Sequence, residues 1–143
     1  MIAALEHAKK LLAARERTEA QLRSALERKR YDAEEIDRAI ERLKALRFLD
    51  DRRAAEAHAR VALTARQSRA AVTKKLASMG IADSEAEAAV QRVGDEVGHH
   101  DEAAARALLT KRRLAGVKAA RFLAGRGFDE ELILKLVPEA AGD

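Results

Sequence analysis

The stretch LAGRGFDEELI, residues 123–133, decides the fold, because degraded copies of it stand at 26–36 (LERKRYDAEEI) and 76–86 (LASMGIADSEA). The copies start 50 and then 47 residues apart, a period that marks a tandem repeat of small supersecondary units. Read as backbone chemistry, Gly127 is a left-handed residue ending one helix, and Phe128 folds back onto Leu123 to complete a Schellman stop. Gly80, Ile81 and Leu76 repeat that spacing. Arg30, Tyr31 and Leu26 repeat it with a non-glycine residue at the left-handed position, at a cost of about 1 to 2 kcal/mol. Downstream, Asp129 and Asp32 are N-caps, with Ile133 and Ile36 completing hydrophobic staples. Thr18 with Gln21 and Asp32 with Glu35 have capping-box spacing, while the middle copy must use Asp83 or Ser84 and has Ala86 in place of the staple isoleucine. The motif is a sharp joint between two packed helices.

Each unit then holds three helices. First helices centre on Leu11 and Leu12, Val61 and Ala62, and Leu108 and Leu109. Second helices are marked by Leu22 and Leu26, by Val72, Leu76 and Met79, and by Ala119 and Leu123. Third helices carry Ile36, Ile40 and Leu43, then Val90 and Val93, then Ile133 and Val137. The expected architecture is all-α, an elongated tandem array of three three-helix repeats spanning 1–50, 51–98 and 99–143. Connectors are expected at Phe48 to Arg53 and Gly94 to His100, and the tail after Pro138 is expected to fray.

Composition agrees. Of 68 apolar residues 33 are alanine, which leaves too few large side chains for one thick core and suits closely packed helices in a non-spherical array. The single proline and the abundance of Ala, Leu, Glu, Lys and Arg favour helix. With no cysteine there are no disulfides or thiolate metal sites. No apolar run is long enough to span a membrane, and Met1 to Arg15 carries Glu6, Lys9 and Lys10 where a signal peptide needs its apolar core. The reading is a cytoplasmic monomer that does not engage membranes.

The net charge of +4 conceals a periodic segregation. Segment 57–82 holds Arg60, Arg66, Arg69, Lys74 and Lys75 without an acid, and segment 103–128 holds Arg106, Lys111, Arg112, Arg113, Lys118, Arg121 and Arg126, again without one. Segment 8–31 has eight bases, Arg23 and Arg28 among them, against three acids, whereas 32–51, 82–102 and 129–143 are predominantly acidic. If the units stack in similar orientation, their first two helices align into a basic stripe suited to a long polyanion. The candidate partner- and DNA-binding residues are Arg23, Arg28, Arg60, Arg66, Arg69, Lys74, Lys75, Lys111, Arg112, Arg113, Lys118 and Arg121. The competing account is that each is a solvated helix charge, with Lys29 and Arg126 offsetting helix dipoles.

Other chemistry finds less support. A helix-turn-helix reading would send Glu34 and Glu35, or Glu130 and Glu131, towards phosphates. His99 and His100 with Asp101 and Glu102 lack a second ligand set and read as a connector. No phosphate loop, nucleophile elbow or metalloprotease histidine pair is present, so neither enzyme activity nor cofactor is expected. Tyr31, Phe48, Phe122 and Phe128 are assigned to corners or core, so binding of single strands by the chain alone is expected to be weak and salt-sensitive.

With RFLDDRRAAEAHAR at 47–60, RFLAGRGF at 121–128 and three units of three helices, the chain resembles the bacterial RecX regulators over nearly its whole length. It departs from the family's usual pattern at Ala54 (commonly Phe), His58 (commonly Tyr) and Arg30 (commonly Gly). The resemblance implies a non-enzymatic modulator that binds the RecA recombinase in the groove of its filament on single-stranded DNA. It further implies that the modulator limits ATP hydrolysis, strand exchange and coprotease activity, and so recombination, repair and the SOS response. The alternative is an independent DNA-binding helical module with no recombinase partner.

Overall fold

The computed structural model describes residues 2–141, which are helical apart from short connectors. Helices α1 (Ile2–Ala14), α2 (Glu19–Arg28) and α3 (Ala33–Ala45) form the first unit. Helices α4 (Asp51–Thr64), α5 (Arg69–Ser78) and α6 (Asp83–Val97) form the second. The third comprises α7 (Asp101–Arg112), α8 (Gly116–Gly125), α9 (Glu130–Leu136) and a closing 3-10 helix, Pro138–Ala141. Each unit encloses its own apolar cluster. Leu22, Leu26, Ile36, Ile40 and Leu43 centre the first, Val72, Leu76, Val90 and Val93 the second, and Leu123, Phe128, Ile133 and Val137 the third. The accessible surface is 9101 Å², against about 7,300 Å² for a compact monomer of this mass. Three small cores side by side produce that excess.

All three corners close as Schellman stops. Arg30, Gly80 and Gly127 have φ of 63°, 92° and 85°, and the amides of Tyr31, Ile81 and Phe128 donate to the carbonyls of Leu26, Leu76 and Leu123 at 3.4, 3.1 and 3.2 Å. The caps vary more. Thr18 and Gln21 form a complete capping box, and Asp129 accepts the Leu132 amide. Asp32 makes no side-chain cap, and Glu35, in place of completing a capping box, accepts the amide of Ala4 at 3.0 Å and ties α3 to α1. In the middle copy neither Asp83 nor Ser84 is the cap; Ala82 holds that position and Asp83 is already in the first turn.

One device, used twice, joins consecutive units. The N-cap hydroxyls of α2 and α5 also donate into the next unit, Thr18 to the Met79 carbonyl and Ser68 to the Arg126 carbonyl. In parallel, the first amides of α2 and α5, on Glu19 and Arg69, donate to Asp51 and Asp101 at 2.7 and 3.0 Å. Those aspartates open α4 and α7. A hydroxyl accepts and donates at once, so a single Thr or Ser serves both its own helix and the neighbouring unit. The corner of each following unit lies against this helix start. A Cβ on Gly80 would overlap that of Ala20, and one on Gly127 would lie 2.9 Å from both the Ala71 Cβ and the Ser68 Oγ.

The second connector is shorter than expected. Helix α6 runs through Gly94 to Val97, and Gly98, with φ of 70°, makes the turn. Position 94, inside the helix, takes a glycine because the Arg69 guanidinium lies across it on its way to the His99 carbonyl, 2.7 Å away, where a side chain would collide. The tail does not fray up to Ala141. Its 3-10 turn brings the Glu139 carboxylate to the amide of Gly116 at 3.2 Å, and Ala140 packs on the third core. Gly116 opens α8 as Glu19 and Arg69 open α2 and α5, so Glu139 occupies the place that Asp51 and Asp101 take in the joints.

Candidate polyanion-binding groove

The segregated charges of the sequence recombine in part within each unit. Arg23 on α2 pairs with Asp37 on α3 at 2.7 Å, Arg60 on α4 with Glu96 on α6, and Arg69 on α5 with Asp95 on α6 at 3.4 Å. These three cations brace helices. Arg69 is half-buried and devoted to the second joint through Gly94 and His99. By contrast Arg28, Arg66, Lys74, Lys75, Lys111, Arg112, Arg113, Lys118 and Arg121 are exposed, and none pairs with a carboxylate among the described residues.

Arg66 and Arg113, like Arg30 and Arg47, occupy left-handed helix stops with φ of 68° and 55°. Their side chains are exposed, at carbonyl ends that favour a cation.

The structure brings one set of these cations across a unit boundary. Between α5 and the end of α8 runs an open groove of about 870 Å³, with Lys74 and Lys75 on one wall and Arg126 on the other. Ala70, Ala71, Ala124, Gly125 and Gly127 contribute its small-residue surfaces, and His58 reaches in from α4. No carboxylate lines it. The joint itself makes this groove, because the Ser68 hydroxyl holds the Arg126 carbonyl against the start of α5. Arg126 then stacks on the Phe122 ring, 4.8 Å from its centroid, and Arg112 approaches the same ring at 4.9 Å. A connected basic surface therefore runs from Lys74 and Lys75 over Arg126 and Phe122 to Arg112 at the end of α7.

Burial, and then the nearby Lys75 ammonium, hold the His58 imidazole below the ordinary histidine range. With Lys74, Lys75 and Arg126 in its lining and no acid, the groove favours a phosphate or carboxylate.

The sequence reading did not select Arg126 or His58. Arg126 had a sufficient role at a helix end, and His58 sits on the first helix, away from the corner motif. Only the stacking of the third unit's corner on the second unit's helix start brings them together. Phe48 departs from its assignment to corner or core, since its side chain is 50% exposed. Phe128 is buried, Tyr31 packs on the first core and Phe122 lies between guanidinium groups. Among the described residues no three His, Cys, Asp or Glu side chains converge as a metal site, and no helix is long and apolar enough to cross a membrane.

A family model for the first three-helix domain of RecX matches residues 4–43, the span of α1 to α3. Regulatory protein RecX of Chlorobaculum tepidum is 33% identical over 144 aligned residues, spanning 98% of this chain and 89% of that protein. The crystal structure of RecX from Lactobacillus salivarius matches with a TM-score of 0.74 at 20% identity, over 99% of this chain and 96% of its own. A further crystal structure, of a regulatory protein RecX, gives a TM-score of 0.77 at 18% identity, over 96% of this chain and 72% of its own. Those two likenesses concern the fold, whereas the Chlorobaculum relative matches in residues along almost the full length. The chain belongs to the RecX family of regulatory proteins.

Proposed function

We propose that the chain regulates the RecA recombinase without catalysing a reaction itself, by lying along the groove of the RecA filament on single-stranded DNA and limiting its activity. Family membership supplies the recombinase. The observation that carries the docking mode is the acid-free groove between α5 and α8, with Lys74, Lys75 and Arg126 on its walls. Arg112 continues that surface through Phe122, and the exposed Arg28, Arg66, Lys111, Arg113, Lys118 and Arg121 add charge along the array. Arg23, Arg60 and Arg69, committed to intramolecular pairs, hold the scaffold instead of the partner. An array of hydrogen-bonded units presenting such a surface suits an extended polyanionic neighbour better than a compact one.

Titrating the protein into RecA on single-stranded DNA should lower ATP hydrolysis at substoichiometric to stoichiometric ratios; an unchanged rate across that range overturns the reading. The double variant Lys74→Glu, Lys75→Glu should bind the filament more weakly with unaltered helicity, and equal affinity would remove the groove from the docking surface. The same groove also favours a second reading, an autonomous DNA-binding module. That reading requires tight binding to oligonucleotides without recombinase, falling steeply with salt by about one power of salt concentration per phosphate contact.

A further inference from the structure

The first joint carries a feature that the second does without. Between the left-handed Arg47 and the first residue of α4 stand Phe48, Leu49 and Asp50; between the left-handed Gly98 and the first residue of α7 stand only His99 and His100. One buried side chain plugs each joint, Leu49 in the first and His99 in the second. Phe48 is surplus to that plug. It is left 50% exposed in front of a pocket of about 330 Å³ floored by Leu12 and Ala13 of α1. Lys9, Arg47 and Arg53 form the rim, and no carboxylate lines the pocket.

The backbone that carries the ring is held in place. The Arg53 guanidinium donates to the carbonyls of Arg47 and Phe48 at 2.9 and 3.0 Å, and its Nε donates to Glu16 at 2.7 Å. Arg53 is thus spent on bracing the connector. Arg47, left-handed with φ of 61° and without an ion-pair partner among the described residues, remains available, as does Lys9, whose single contact is an exposed one to Glu6 at 3.4 Å. A solvent-facing aromatic on a braced backbone, beside an aliphatic floor and a cationic rim, has the make-up of an interface anchor, since little backbone ordering is left to be done on binding.

We propose that this pocket docks an acidic peptide segment bearing one large apolar side chain, which inserts between Phe48 and Leu12 while its flanking carboxylates meet Arg47 and Lys9. The volume lies at the lower end of ligand pockets, about 300 to 1,000 Å³, and so suits one side chain. A nucleic-acid strand fits less well. Binding by stacking needs successive open aromatic platforms, and the other three aromatic residues are packed into the cores or flanked by guanidinium groups. The proposal is independent of the α5–α8 groove.

Fluorescence anisotropy with a fluorescein-labelled Glu-Asp-Glu-Phe-Glu-Asp-Glu peptide tests it on the full chain. Saturable binding is expected, weakened tenfold or more in Phe48→Ala and severalfold in Arg47→Gly, a change that keeps the left-handed backbone. Replacing the peptide's phenylalanine by alanine should cost a similar tenfold. Circular dichroism must show Phe48→Ala folded, which its exposure leads one to expect. Absence of saturable binding, equal affinity of the Phe48→Ala variant, or equal affinity of the alanine peptide overturns the proposal. So does a labelled oligothymidylate that binds more tightly than the peptide and loses that affinity in Phe48→Ala, which would make the pocket a base-stacking site.

Discussion

Replacing Gly80 by alanine and Arg30 by glycine tests the joint with its own internal control. The two residues hold the same place in successive corners, both left-handed, but Gly80 lies against Ala20 of the preceding unit, whereas no unit among the described residues stands behind Arg30. In Gly80→Ala the left-handed backbone costs about 1 to 2 kcal/mol. The Cβ driven into Ala20 costs about 1 to 3 more, and a stiffer unfolded chain returns about 0.4 to 1. The net loss is about 1 to 5 kcal/mol, centred near 3, or at about 2 to 4 °C per kcal/mol for a chain of this size roughly 8 °C in Tm at the centre of the range. Arg30→Gly relieves the same backbone cost with no packing change, against a looser unfolded chain and about 0.3 to 1 kcal/mol of helix-end electrostatics. It should be neutral or stabilising by up to about 1 kcal/mol. Urea unfolding followed by circular dichroism measures both changes. Hydrogen exchange at the first turn of α2 should quicken in Gly80→Ala alone, because that turn is what the corner covers. If Gly80→Ala stays within about 0.5 kcal/mol of the parent, or Arg30→Gly destabilises by more than about 1, the joint does not work as described.

Burial pushes the Asp51 carboxyl above the usual carboxylate range despite the amide it accepts from Glu19. Asp51→Asn, which keeps an acceptor and sheds the charge, should therefore be nearly neutral in urea unfolding, while Asp51→Ala loses about 1 to 2 kcal/mol; equal losses would show that the charge and not the acceptor matters. The depressed His58 carries the opposite dependence. It imposes no penalty above its ordinary value of about 6.5, and a penalty grows as pH falls through that value and down to its folded one, because the unfolded chain takes up the proton first. His58→Gln should flatten the acid limb of the stability profile in that window, and an unaltered profile would disprove it. An anion seated in the groove should draw a proton back onto His58, so oligonucleotide or filament binding should tighten from pH 7.5 to 6 in the parent and much less in His58→Gln; equal pH dependence in the two would detach His58 from the groove.

The repeat, its helices and the three Schellman corners were legible because they rest on local rules: a residue tolerant of positive φ, an apolar residue after it, and apolar spacing on either side. Caps were half legible. Asp32 and Asp101 have cap chemistry, yet Asp32 makes no cap and Asp101 accepts an amide of the neighbouring unit. The same spacing serves intra-unit and inter-unit bonds, and only the stacking decides between them. Charge was legible in amount but not in engagement. Arg23, Arg60 and Arg69 looked as available as Lys74 and Lys75, because their partners Asp37, Glu96 and Asp95 lie 14 to 36 residues away. The tail was misjudged for a similar reason, since the partner of Glu139 is 23 residues upstream.

The parts of the joint differ in the first and third units of the described residues. A unit offers a hydroxyl cap and a helix-start amide to the unit that follows, and a glycine corner and an aspartate to the unit before it. Both offers are withdrawn where no partner exists within the described chain. The first corner has Arg30, whose side chain would obstruct any unit stacked from behind, and the third helix start has Ala115 where the joints have Thr18 and Ser68. The remaining amide, on Gly116, is closed by Glu139. A heterologous, head-to-tail interface of this kind propagates into filaments when its ends stay complementary, and here each end lacks a different half of the device. Restoring the hydroxyl, the open amide and the glycine corner, with Ala115→Ser, Glu139→Ala and Arg30→Gly in one chain, leaves only the helix-opening aspartate without a counterpart, because the first turn of α1 carries no acid, and should produce concentration-dependent head-to-tail association in sedimentation velocity. A strictly monomeric triple variant would mean that something other than the cap, the corner and the closing carboxylate terminates the stack.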